Sequence, residues 1–204
     1  MYELIVLSLL MRQPTTGYLM AQIINDIIGP FAKASNGRIY PLLAALEKEK
    51  HITEQRVPVA QRSGRQATTY AITERGKARF HELMLDTKSS PREYRELFSY
   101  KVTAFDLLAP EERTMLVEHY TEFCKAHIAH IAREGEELAR NAERYAIGAA
   151  QQTLFGSTFG HLESLWQNEL AWCRQLRDEL DQLGALETSG ARRSVRRRGA
   201  RASE

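Results

Sequence analysis

Leu4, Leu7, Leu10 and Met11 recur at the spacing of one helical face, and the segment "RQPTTG", with Pro14 and Gly17, breaks the pattern. Helical spacing resumes in "YLMAQIINDIIGPF", with Tyr18 or Leu19, Gln22 or Ile23, and Ile27 on one side, and stops at Gly29 and Pro30. A third helix begins near Ser35 and carries Ile39, Leu42, Leu43 and Leu46 as its buried stripe. The texture then changes. "ITEQRVPVA" is β-prone through Ile52, Val57 and Val59, "QRSGRQ" supplies a turn at Gly64, and "ATTYAIT" is β-branched and aromatic, so a hairpin is expected. "ERGKARFHELML" returns to helix, with Thr73 as its cap.

After the polar segment "DTKSSPR", with Pro91, an aromatic helix runs through Tyr94, Leu97, Phe98, Lys101, Val102 and Phe105. Pro110, followed by Glu111 and Glu112, starts a long helix, because proline suits the first helical position and acids suit the positive end of the dipole. Its stripe is Leu116, Tyr120, Phe123, His127, Ile131, Gly135, Leu138, Ala142 and Tyr145. A last helix repeats every seven residues, with Phe159, Trp166, Cys173 and Leu180 on one row and Phe155, Leu162, Glu169, Leu176 and Leu183 on the other. At about 35 and 30 residues these helices are too long for a compact bundle of this size, so they are expected to pair with each other and with a second copy. The fold expected is mainly α. A winged helix-turn-helix covers residues 1–86, long antiparallel helices form a dimerisation domain over 93–184, and an Arg-rich tail over 188–204 has no expected order.

Charge sharpens this division. Residues 1–85 hold eleven Lys or Arg against seven Asp or Glu, residues 86–187 hold eleven against eighteen, and residues 188–204 hold six Arg against Glu204. A basic head and an acidic middle suit a polyanion partner for the head. The order helix, helix, helix, hairpin is that of a winged helix whose third helix lies in the major groove with its first residues toward base edges. Asn36 and Arg38 are then positioned to hydrogen-bond bases or phosphates, Tyr40 to reach a phosphate, and Gly37 to let the backbone approach closely and ease the hydrogen bond that Pro41 removes. Arg62 and Arg65, flanking Gly64 at the hairpin tip, suit phosphates or a narrow minor groove.

These residues carry a resemblance. "GY" at Gly17 and Tyr18, "SNGRIYPLLAALEKEKHI" from Ser35 to Ile52 and "RSGRQATTYAITERGK" from Arg62 to Lys77 resemble the PadR-type transcriptional regulators, whose longer members end in two long helices. The resemblance implies a homodimer binding a pseudo-palindromic operator in double-stranded DNA, usually as a repressor, released by a small, often aromatic or phenolic, effector. It also implies that Ser35, Asn36, Arg38 and Tyr40 read DNA from the third helix, that Arg62 and Arg65 contact it from the wing, and that Tyr18 touches the backbone. Family members usually carry Gly between the third helix and the first strand, where this chain has Lys50-His51.

Other constellations are weaker. Cys124, His127 and His130 are spaced as helical neighbours but wrap around the helix, so packing is favoured over a metal site or a thiol nucleophile. No catalytic residue, metal or cofactor is expected. Phe98, Phe155, Phe159 and Trp166 are candidates to line an effector pocket, and Glu169 within its heptad row is a candidate to fix dimer register. The tail arginines, among them Arg192, Arg193 and Arg196 to Arg198, suit nonspecific DNA binding or solubility. Two cysteines make no disulfide framework, and the apolar run at the start stops at Met11, short of the roughly 20 residues that cross a bilayer, so a cytoplasmic location without membrane contact is expected. The reading from another class is a winged-helix protein-interaction module or scaffold that does not bind DNA.

Overall fold

The computed structural model describes residues 1–28, 36–58, 66–89 and 91–201, with side chains for all of these except 28, 36, 56–58, 66, 67 and 185–201. Its contacts divide the chain into two compact units, Met1–Leu107 and Leu108–Glu204.

The first unit runs α1 (Tyr2–Arg12), β1 (Thr15–Thr16), α2 (Gly17–Ile28), α3 (Asn36–Lys48), β2 (Ile52–Pro58), β3 (Gln66–Ile72), α4 (Glu74–Leu85) and α5 (Tyr94–Val102), closing on a 3-10 turn at Phe105–Leu107. The hairpin pairs antiparallel from Ile52 opposite Ile72 to Pro58 opposite Gln66. On the far side of β3, Thr15 and Thr16 pair with Tyr70 and Thr69, giving the order β1-β3-β2. This short first strand falls where the sequence reading placed only a helix break. Two β-branched residues between Pro14 and Gly17 are its one local signal.

Helix α1 buries Leu4, Ile5, Val6, Leu7 and Leu10. Helix α3 buries Ile39, Leu43 and Leu46, as their spacing predicts. Helix α2 faces inward on a different side from the one expected: Met20, Ala21 and Ile24 are buried, whereas Tyr18, Leu19 and Ile27 are exposed. Apolar spacing alone admits several faces in "GYLMAQIINDII", but Gln22, Asn25 and Asp26 share one side and mark the face opposite them as the inward one. The β1 pairing agrees. It leads the chain into α2 with Gly17 against α3, where an added Cβ would lie 3.1 Å from Tyr40 Cε1 and 3.2 Å from Leu43 Cδ1. The face that follows from Gly17 at helical spacing is Met20, Ala21 and Ile24.

Helix α5 lies in the first unit rather than with the long helices that follow it. The Phe98 ring meets Tyr94 and Phe105 edge to face, with centroids 6.3 and 6.2 Å away. Arg12 reaches from α1 to grip both carboxylate oxygens of Asp106 at 2.7 and 2.8 Å and the Thr103 carbonyl at 3.2 Å. Lys101 is fully buried, with its ammonium donating to the Asp86 carbonyl and 5.9 Å from the Tyr94 ring centre. Burial pulls its pKa down to about 8.

The second unit holds α6 (Pro110–Arg140) and α7 (Ala149–Arg201). Pro110 stands in the first turn of α6, and the Glu112 carboxylate accepts the Ala109 N–H at 2.9 Å. The helix stops at Asn141, whose side-chain amide donates to the Glu137 carbonyl at 2.8 Å. The two helices run antiparallel along a seam marked by Tyr120 with Glu169, Phe123 and His127 with Trp166, and Gly135 with Phe159. Helix α7 continues through Arg201, across the stretch expected to lack order. Among the described residues no helix is long and apolar enough to cross a membrane.

Candidate nucleic-acid interface

The exposed start of α3 is built by what lies beneath it. Ile39 is buried, whereas its neighbours Gly37, Arg38, Tyr40 and Pro41 are exposed, so the first turns present one polar, aromatic face outward over an apolar base. Tyr18, at the start of α2, is 74% exposed beside this face. The α2 amino end is capped by Thr16, whose hydroxyl accepts the Leu19 N–H at 3.2 Å. Thr16, Gly17, Tyr18, Tyr40, Glu54, Thr68 and Tyr70 together line one open groove between α3 and the sheet. Burial, followed by the charges of Glu54 and Glu47, holds Tyr70 above the usual phenol value, so it offers a neutral hydroxyl.

Of the residues expected to meet DNA, the structure therefore brings Tyr18 and Tyr40 to one groove and exposes Arg38 on the same helix as Tyr40. Ser35, Arg62 and Arg65 lie outside the described residues, as does the side chain of Asn36.

The departure at Lys50-His51 resolves into a definite turn. The Lys50 N–H donates to the Glu47 carbonyl at 2.9 Å and the His51 N–H to the Leu46 carbonyl at 2.8 Å, and Lys50 takes a left-handed φ of 61°. These are the two crossed bonds of a Schellman cap, with lysine at the position glycine usually holds. Lys50→Gly is expected to stabilise the head by about 1 kcal/mol, because a Cβ in that region is strained. An unchanged or lower urea midpoint would count against it.

The cap is locked to the start of α4. The Thr73 hydroxyl donates toward the Lys50 and His51 carbonyls at 2.7 and 3.0 Å and accepts the Gly76 N–H at 3.1 Å, and the Thr73 N–H donates to the His51 carbonyl at 3.0 Å. Thr73 is thus the α4 cap that the sequence predicts, and it also fixes the turn that follows α3.

Two of the four aromatics proposed for an effector line one cavity. Phe155 and Phe159 line a 320 Å³ cavity in the second unit with Gly135, Leu138, Ile147 and Gln152. Trp166 instead stacks on His127, 4.0 Å between ring centres, and Phe98 is buried among the rings of its own unit. Glu169, the candidate for dimer register, accepts the Tyr120 hydroxyl at 2.8 Å within the chain's own helix pair. Burial and this hydrogen bond both raise the Tyr120 pKa, so it stays a donor. Cys124 is buried and His127 packs, while His130 sits at the surface beside Arg133 and Glu134. Sequence reasoning missed one juxtaposition, that of Cys124 with Cys173, because it depends on the register between two helices.

Residues 6–82 match the model of the transcriptional regulator PadR-like family. The negative transcriptional regulator PadR of Bacillus subtilis is 23% identical over 156 residues, covering 76% of this chain and 81% of that protein. Among solved structures, Bacillus subtilis PadR with operator DNA is 20% identical over 87% of this chain and 98% of that one, with a TM-score of 0.39. The same regulator with p-coumaric acid is also 20% identical, over 88% of this chain and 94% of that one, with a TM-score of 0.36. With its helix order, its hairpin and its "GRIYPLL" and "YAITERG" motifs in place, the head of this chain matches the PadR-like family of transcriptional regulators over residues 6–82.

Proposed function

We propose that this protein is a cytoplasmic, homodimeric transcriptional repressor without catalytic activity that binds a pseudo-palindromic operator. The amino end of α3 enters the major groove with Ser35, Asn36, Arg38 and Tyr40 toward the DNA, Tyr18 meets the backbone, and Arg62 and Arg65 contact it from the wing. The observation that carries the reading is the opposite exposure of adjacent α3 residues. Among the described residues, Ile39 is fully buried while Arg38 and Tyr40 on either side of it are exposed. A helix that served only as core would have no physical reason to expose this face beside a second exposed tyrosine. The curated relative's role as a negative regulator supports repression. The Phe155 and Phe159 cavity suits a small aromatic or phenolic effector, which needs apolar walls and few polar anchors.

Selection of bound duplexes from a random pool tests the reading, with a two-fold symmetric consensus as the expected result. Affinity should fall by orders of magnitude as salt rises, because phosphate contacts release counterions, whereas a protein-docking module would barely respond. Arg38→Ala is expected to cost roughly 1 to 3 kcal/mol and relax base preference at one position of each half-site. Arg65→Ala should weaken all sequences alike. Wild-type binding by both variants would remove the contact assignment.

A further inference from the structure

We propose that Cys124 and Cys173 form an oxidation site, a thiol pair that a peroxide converts to a disulfide tying α6 to α7. These are the two cysteines of the chain, one on each helix of the antiparallel pair, at 0% and 1% exposure. Each lies within hydrogen-bonding reach of the other. The seam contacts of Tyr120 with Glu169 and of Gly135 with Phe159 bracket a register that places the two residues one to two turns apart along the pair axis. Helical side chains lean toward their own amino end, so in an antiparallel pair these two thiols lean toward each other.

The pair is also chemically unequal. Accepting the S–H of Cys124 draws the Cys173 thiol down, against the opposing effect of burial. Cys124, which keeps the shared proton, is pushed up. The nearby Arg177 charge also favours the thiolate at Cys173, which makes it the nucleophile and Cys124 the resolving thiol.

The Cys173 thiolate attacks one oxygen of the peroxide. An S–O bond forms, the O–O bond breaks, and the departing oxygen takes up a proton, leaving a sulfenic acid. The Cys124 sulfur then attacks the Cys173 sulfur, the S–S bond forms, the S–O bond breaks, and water leaves with the Cys124 proton. With hydrogen peroxide, two thiols and one peroxide yield one disulfide and two waters.

The full-length reduced protein, treated with hydrogen peroxide, quenched and alkylated, should lose about 2 Da in intact mass and take up no alkylating agent. Digestion should release one linked peptide pair containing Cys124 and Cys173, dithiothreitol should separate it, and the oxidised chain should melt higher than the reduced one. In the Cys124→Ser variant, Cys173 should stop as a sulfenic or sulfinic acid, whereas in Cys173→Ser the remaining thiol should react far more slowly. Two free thiols after peroxide, independent oxygen addition at each sulfur in the wild type, or a linkage only between chains would overturn the assignment.

Discussion

Gly76→Ala is expected to destabilise the head by about 2 kcal/mol or more, although helix propensity alone argues for the opposite sign. Gly76 is the third residue of α4, and alanine in an unobstructed helix gains up to about 1 kcal/mol over glycine. Here an added Cβ would stand 2.0 Å from the His51 carbonyl oxygen and 2.8 Å from Ile72 Cγ1. A rotation of Ile72 relieves the side-chain contact, but the carbonyl has no such freedom. It accepts from the Thr73 N–H and hydroxyl, and its residue completes the α3 cap. Relieving the clash therefore means shifting α4 or opening the cap, and overpacking of this kind costs about 1 to 3 kcal/mol or more. Gly135→Ala supplies the control. It is the same substitution inside α6, where the new Cβ would meet Phe159 at an ordinary 3.8 Å, so it should stabilise by up to about 1 kcal/mol. Melting curves followed by circular dichroism should move in opposite directions. Gly76→Ala should also weaken operator binding, because the displaced cap sits at the carboxyl end of α3, the helix proposed to meet DNA. A Gly76→Ala protein melting at or above wild type would show that the contact is slack.

The Gly76 case shows what the sequence carries and what it leaves out. The third helix was legible because Ile39, Leu43 and Leu46 fall on one stripe while Arg38 and Tyr40 interrupt it, and the hairpin because β-branched runs flank a glycine turn. Thr73 was legible as a cap from its place before an apolar helix. Its second task, bonding a turn some twenty residues earlier, follows only from the fold. The inward face of α2 was legible from Gln22, Asn25 and Asp26 on the opposite side but was missed by following apolar spacing alone, and the contact at Gly17 agrees with it. Lys50 hid the helix stop, since the left-handed cap is normally announced by glycine. For the long helices, heptad rows gave each helix its own apolar face. They gave no register between the two, and register is what sets Tyr120 against Glu169 and separates Trp166 from the cavity of Phe155 and Phe159.

Phe98→Ala is expected to cost about 3 to 5 kcal/mol of stability, the range for emptying a fully buried aromatic site. The ring is at 0% exposure, with Tyr94 and Phe105 edge-on to it, and buried Lys101 lies one turn further along the same helix. Such edge-to-face pairs add about 0.5 to 1.5 kcal/mol beyond the area they bury, and alanine forfeits both contributions. The same residue is one of the four aromatics that sequence spacing suggests for an effector pocket, so the variant must separate packing from ligand contact. Phe98→Leu does this, because it keeps most of the buried volume. If Phe98 packs, the leucine variant should bind operator and release it with effector as wild type does, while the alanine variant loses both in proportion to its unfolded fraction. Phe159→Leu, at the cavity wall, should show the complementary pattern of near-normal melting with a weakened effector response. A folded Phe98→Leu protein that holds its operator but no longer responds to effector would move the ligand site into the head.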